Sequence, residues 1–215
     1  MNDKLKESAQ YLKHCQIIEN EAFCLYETLS KKINQPESSF ILGIAYDSLK
    51  NARILQGILD YFDPIDPENK NVRKDLSELA AEIMMLGKKI SKINSLDYLI
   101  SCEILKESIN LEVLLSEVYT NYLKSSLPKI IIDEFSETCA INLNNFKKIL
   151  EGFIEEKGKH RQTIVETRYL LEAKETEVHR QITPIIKYQN PDAWIRESTI
   201  HSFTNNPVNT QNMKI

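Results

Sequence analysis

Glycine and proline are scarce in this chain, with 5 and 7 copies among 215 residues. Both residue types concentrate in turns and average about 7% and 5% in globular proteins, so their scarcity argues against a sheet-rich fold with many tight turns. The glycines are also spaced too widely for a glycine-rich phosphate-binding loop. No apolar run reaches the ~18 residues of a membrane-spanning helix, and the first residues carry no apolar leader segment. We therefore expect a cytoplasmic protein with no membrane segment.

Cysteine is also sparse, and the four copies lie far apart with no C-x-x-C pair. A structural zinc site is therefore not expected, and the thiols should be reduced. The charge is uneven: residues 1–156 hold 18 basic and 25 acidic side chains, whereas residues 157–188 hold 7 and 4. A net charge of this size in one segment does not by itself indicate nucleic-acid binding, which is kept as an alternative.

Apolar residues recur every three to four positions through most of the chain, which predicts an all-α protein. The predicted helices cover residues 3–33, about 38–62, 70–93, 95–123, 128–156 and 160–188. Ser38 or Ser39 is expected to cap the second helix, and Gly158 is expected to break the chain between the last two. Four long helices joined by one helical crossover are typical of a four-helix bundle. The predicted organisation is a bundle over residues 1–157, an amphipathic helix over 158–188 and an extended polar tail over 189–215.

One or two polar residues interrupt the apolar stripe of each long helix near its middle. The four long helices are those over residues 3–33, 38–62, 95–123 and 128–156. The first and third of these each carry one glutamate in the stripe, Glu19 and Glu112, and the second carries Ser48 and Asn51. The fourth helix has two possible stripes, one through Asn142 and Asn145 and one through Cys139, Asn142 and Phe146. Burying an unpaired carboxylate is unfavourable, so two glutamates in core stripes require an explanation.

This pattern resembles the ferritin-like superfamily, especially its rubrerythrin-type members. In that family a glutamate is followed seven residues later by a tyrosine on helices 1 and 3, as in Glu19 with Tyr26 and Glu112 with Tyr119. Helices 2 and 4 of the family carry Glu-x-x-His, and these residues bind two irons in the bundle core.

The paired motifs of this chain depart from the family pattern. The second long helix reads Ser48-x-x-Asn51, and the fourth reads Asn142-x-x-Asn145 on the first of its two stripes. Asparagine is a poor substitute for histidine at iron, so we expect a degenerate site that binds no cofactor and has no di-iron oxygen or peroxide chemistry.

Alternatives remain open for the two glutamates. They could lie on a solvated helix face, form a buried polar layer with the asparagines, or retain a single iron or manganese ion. The histidines suggest no catalytic arrangement, since His14 and His160 are expected on exposed faces, His179 in the charged segment and His201 in the tail.

The C-terminal helix carries an apolar residue every seven positions: Ile164, Leu171, Val178 and Ile185. This stripe could pack on the bundle or face a protein partner or a second copy of the chain. The leading interpretation is a non-catalytic scaffold or interaction module that self-associates or binds a partner through this helix and the tail. The alternatives are an atypical iron- or manganese-binding oxidoreductase or storage protein, and a nucleic-acid-associated protein.

Overall fold

The computed structural model describes residues 3–60, 74–93, 96, 98–138 and 143–189. Its elements are all helices: α1 (Asp3–Ser30), α2 (Glu37–Leu59), α3 (Lys74–Lys92), α4 (Tyr98–Lys124), α5 (Leu127–Thr138) and α6 (Leu143–Gln189). The prediction of an all-α protein is therefore confirmed, and these described ranges contain no strand. No helix in them combines the length and apolarity needed to cross a membrane.

The C-terminal part of the chain differs from the sequence prediction. Where one helix was expected over residues 128–156, there are two, and the expected break at Gly158 is wrong because α6 continues through it. Glycine within a helix is unfavourable by only about 1 kcal/mol relative to alanine, which the buried contacts on either side of Gly158 outweigh. The expected serine cap is also wrong, since Pro36 is at the N-cap of α2.

The chain forms two compact units, residues 1–171 and 172–215. The first unit thus extends past residue 157 and includes the first part of α6. In the second unit, the structure describes the end of α6 as far as Gln189.

Helices α1, α2, α4 and α6 surround the core of the first unit. Side-chain hydrogen bonds join α1 to α4 at Tyr11 and Val118, and α2 to α6 at Asn51 and Glu156. The apolar stripes of α1, α2 and α4 supply most of the buried residues, as their periodicity predicts. Helix α3 packs on α1, where a Cβ added to Gly87 would lie 3.9 Å from the Cα of Leu25.

Phenylalanines of α6 complete this core against tyrosines of α4. The ring centroids of Tyr119 and Phe153 are 5.3 Å apart, and those of Tyr122 and Phe146 are 6.5 Å apart, both in edge-to-face arrangements. The pairs run in opposite directions along the two helices, so α4 and α6 are antiparallel. This alignment sets which polar residues of α6 lie opposite Glu112.

Candidate functional site

Two glutamates lie at the centre of the core, each on a different helix. Glu19 of α1 and Glu112 of α4 have no solvent-exposed surface. They therefore do not lie on a solvated helix face, which was one of the interpretations that the sequence left open. Since a buried carboxylate is unfavourable without compensation, their partners determine whether the arrangement is stable.

The main partner is Lys157 of α6, which is also completely buried. Its Nζ atom lies 2.8 Å from Glu19 Oε2 and 3.9 Å from Glu112 Oε2. The ammonium group donates a hydrogen bond to the first carboxylate and forms an ion pair with the second. One lysine thus joins the two glutamates across the core.

His160 lies one helical turn further along α6 and extends this network towards the surface. Its Nδ1 atom is 3.2 Å from Glu112 Oε2, and its Nε2 atom is 3.3 Å from Oδ2 of the half-exposed Asp47. A doubly protonated imidazolium satisfies both contacts, because each ring nitrogen then donates to a carboxylate oxygen. In that state the buried charges of Glu19, Glu112, Lys157 and His160 sum to zero.

Two buried tyrosines complete the glutamate contacts. Tyr26 of α1 donates to Glu112 Oε1 on α4 at 2.7 Å, and Tyr119 of α4 donates to Glu19 Oε1 on α1 at 2.8 Å. Each tyrosine lies seven residues after one glutamate but hydrogen-bonds to the other. The contacts therefore cross between α1 and α4 and fix the alignment of the two helices.

On α2, Ser48 and Asn51 are fully buried beside this network. Asn51 donates through Nδ2 to Glu156 Oε2 at 3.0 Å. Within the part of the chain that the structure describes, Ser48 Oγ and Asn51 Oδ1 have no hydrogen-bond partner. The ferritin-like resemblance implies a glutamate and a histidine at these two positions of the helix. Neither Ser48 Oγ nor Asn51 Oδ1 takes their place in the network.

The two asparagines predicted for the fourth helix do not contribute to this arrangement. Asn145 is exposed on α6, so its predicted inward orientation is wrong, while Asn142 lies outside the described residues. The alternative stripe through Phe146 is closer to the structure, because Phe146 is 3% exposed. Asn145 precedes Phe146 by a single residue and therefore points about 100° away from it around the helix.

Sequence reasoning missed Lys157 and placed His160 on an exposed face. The signal for both was present, since residues three or four positions apart form one buried stripe along α6: Phe146, Leu150, Phe153, Lys157, His160, Ile164 and Thr167. The predicted break at Gly158 divided this stripe in two, so Lys157 and His160 were not assigned to the core. His14 was also expected to be exposed but is 7% exposed, with Nδ1 2.9 Å from the Gln10 carbonyl oxygen.

The described residues of the seven-residue stripe on the C-terminal helix pack against the core of the first unit. Ile164 is fully buried, and Leu171 is partly buried against the same core. These two residues therefore pack internally, which was the first of the two interpretations of the stripe. The side chains of Val178 and Ile185 lie outside the described residues.

The surroundings shift the pKa values of the buried groups in directions that favour the ion pairs. Burial by itself raises the pKa of Glu112, but Lys157 and the hydrogen bonds from His160 and Tyr26 outweigh it and hold the pKa below 4.5. Burial likewise lowers the pKa of Lys157, yet Glu19 and Glu112 outweigh it and raise the pKa above 10.5. Both groups are therefore charged at neutral pH.

The tyrosines respond differently. Burial, followed by the nearby carboxylates, raises the pKa of Tyr26 and of Tyr119 well above 10. Both phenols consequently remain protonated and continue to donate to Glu112 and Glu19 across the neutral range.

These shifts predict that stability decreases at both extremes of pH. Glu112 contributes stability above its ordinary pKa of 4.5, and this is lost as the pH falls through its lowered folded value. Lys157 contributes stability below 10.5, and this is lost as the pH rises through its raised folded value. We expect melting temperatures measured between pH 3 and pH 11 to fall at both ends. A melting temperature that stays constant from pH 6 to pH 3 would contradict the ionised state of Glu112.

Comparison with family models, curated proteins and solved structures gave no match to this chain. Among the described residues, no three histidine, cysteine, aspartate or glutamate side chains are grouped as a metal site. The site is a buried network of two glutamates, one lysine, one histidine and two tyrosines, contributed by three helices.

Proposed function

We propose that this chain is a non-catalytic helical scaffold of the ferritin-like type, in which a lysine occupies the position of the metal ions. The observation that carries the proposal is the place of Lys157, whose ammonium group lies between two buried carboxylates. A positive charge at this point neutralises the same glutamates that would otherwise require a metal cation.

The spacing on α6 supports this interpretation. The ferritin-like resemblance implies Glu-x-x-His on the fourth helix of the bundle, and α6 carries Lys157-x-x-His160 facing Glu19 and Glu112. On this alignment, His160 retains its family position and Lys157 replaces the bridging glutamate. On α2, Ser48 and Asn51 replace the other glutamate and histidine.

The donor set does not fit a pair of iron ions. Three of the available groups, Glu19, Glu112 and His160, can ligate a metal, whereas Lys157 is a cation within 4 Å of both carboxylates. Iron sites of this class use bridging carboxylates and imidazole nitrogens from both paired motifs, and a charged ammonium group repels a metal cation. We therefore propose no oxygen or peroxide chemistry for this site.

Without that chemistry, the role that best suits the chain is a scaffold or interaction module. Binding of a protein partner or of a second copy through the C-terminal helix and tail remains a prediction, as does a cytoplasmic location. Because Ile164 and Leu171 pack internally, this binding would have to use later residues such as Val178 and Ile185.

Metal analysis of the untagged protein tests the proposal directly. After growth with added iron, manganese and zinc and mild gel filtration, we expect about 0.1 metal equivalents per chain or less, because Lys157 competes for both carboxylates. The matched control is Glu19→Ala with Glu112→Ala, which should leave this value unchanged. Two equivalents in the unaltered chain that disappear in the double variant would instead support the oxidoreductase or storage interpretation.

A further inference from the structure

A groove runs along the outer face of the first unit between α3 and α4. Its wider part encloses about 450 Å³ between residues 82–89 of α3 and residues 107–114 of α4. A second part of about 260 Å³ continues along the same two helices towards the start of α3. The two parts share Glu82 and Leu114, so they form one continuous surface.

The floor of this α3–α4 groove is apolar. Leu76, Leu79 and Leu86 contribute from α3, and Leu111 contributes from α4, all of them less than 9% exposed. Met85 and Leu114 stand at the opening and are 67% and 40% exposed. Exposed methionine is flexible and polarizable, and it is common at surfaces that bind apolar partners.

The rim of the groove is strongly acidic. Its lining includes five carboxylates and one lysine: Asp75, Glu78, Glu82, Glu107, Glu117 and Lys89. Lys89 lies 3.6 Å from Glu107, so the lysine among these lining residues is already opposite a carboxylate. The negative potential along the rim therefore favours a positively charged partner.

The dimensions define the partner further. From Asp75 to Lys89, α3 extends about 21 Å at 1.5 Å per residue, which is about four turns of a helix. An amphipathic helix places apolar side chains at positions i, i+3, i+4 and i+7 into such a groove, with its charged residues along both edges. We propose that the α3–α4 groove binds an amphipathic helix of another protein, with an apolar stripe flanked by lysine and arginine.

This inference rests on the proposed role as an interaction module and names the surface and the partner class. It is tested with two fluorescein-labelled 18-residue peptides that share one leucine stripe, one with lysine and one with glutamate at the flanking positions. Fluorescence anisotropy with the full chain should give a micromolar Kd for the lysine peptide at about 50 mM salt, and at least tenfold weaker binding of the glutamate peptide.

Variants in the groove locate the binding surface. Glu82→Lys reverses a rim charge shared by both parts of the groove, and Met85→Lys places a charge at its opening. Both residues are exposed, so the fold should be retained. Each variant should weaken lysine-peptide binding at least fivefold. Leu99→Lys is the matched control, because Leu99 is 73% exposed on α4 outside the groove, and it should leave the Kd unchanged.

Three results would overturn the inference: no saturable binding, equal binding of the two peptides, or a Kd that Glu82→Lys and Met85→Lys leave unchanged. If Met85→Lys abolished a dimer in sedimentation analysis while no peptide bound, the groove would be a self-association surface instead. The metal content of the same samples is measured as well, because it tests the proposed function independently of peptide binding. If the chain contains no metal and binds neither peptide, the groove proposal is wrong while the proposed scaffold function still stands.

Discussion

Replacing Lys157 by methionine is expected to lower the free energy of unfolding by about 3–5 kcal/mol, because it leaves buried Glu19 without a cation and leaves Glu112 with His160 alone. The methionine side chain fills similar space, so the loss would come mainly from charge rather than from a cavity. For a chain of this size the melting temperature should fall by about 6–20 °C. Urea unfolding followed by circular dichroism measures the change.

The same substitution at Lys50 provides the control. Lys50 pairs with Asp47 and Glu156 at the surface, and its side chain is 47% exposed. Lys50→Met should therefore change stability by no more than about 1 kcal/mol. If Lys157→Met costs no more than Lys50→Met, the lysine does not compensate the buried glutamates.

A triple variant separates charge from packing. Adding Glu19→Gln and Glu112→Gln to Lys157→Met removes both buried carboxylate charges and retains oxygen atoms that accept from Tyr119 and Tyr26. We expect this variant to recover more than half of the lost stability. Failure to recover any of it would assign the loss to packing around Lys157.

Replacing Lys157 by glutamate is expected to have the second large effect and to test the ferritin-like interpretation. The variant would carry Glu-x-x-His on α6 opposite Glu19 and Glu112, with three carboxylates and one imidazole facing one centre. Without metal, mutual repulsion should destabilise it at least as much as Lys157→Met. With manganese at about 100 times its Kd, binding should restore about 2.7 kcal/mol, or roughly 5–10 °C in melting temperature.

Lys157→Met serves as the matched control for this gain of binding, because it removes the same cation without adding a ligand. Only the glutamate variant should bind manganese in titration calorimetry and respond to it in thermal melts. If both variants responded equally to manganese, or if neither responded, the alignment of Lys157 with a bridging glutamate would be wrong.

The sequence by itself determined the helical class and the inward faces of three helices. Periods of three and four residues placed Glu19, Glu112 and both site tyrosines in core stripes, and all four are at most 1% exposed. This succeeds because the helix repeat fixes which side chains share a face, whatever the partner. The burial of Ser48 and Asn51 follows in the same way.

Tertiary structure decided which residues complete the site. Glu19 and Lys157 are 138 residues apart, and the helical repeat does not specify which helices become neighbours. It also decided that α6 continues through Gly158, since packing on both sides outweighs the small intrinsic preference of one glycine. A lysine or histidine is stable in a core only where other helices supply carboxylates, so the burial of Lys157 and His160 depends on contacts that local sequence does not contain.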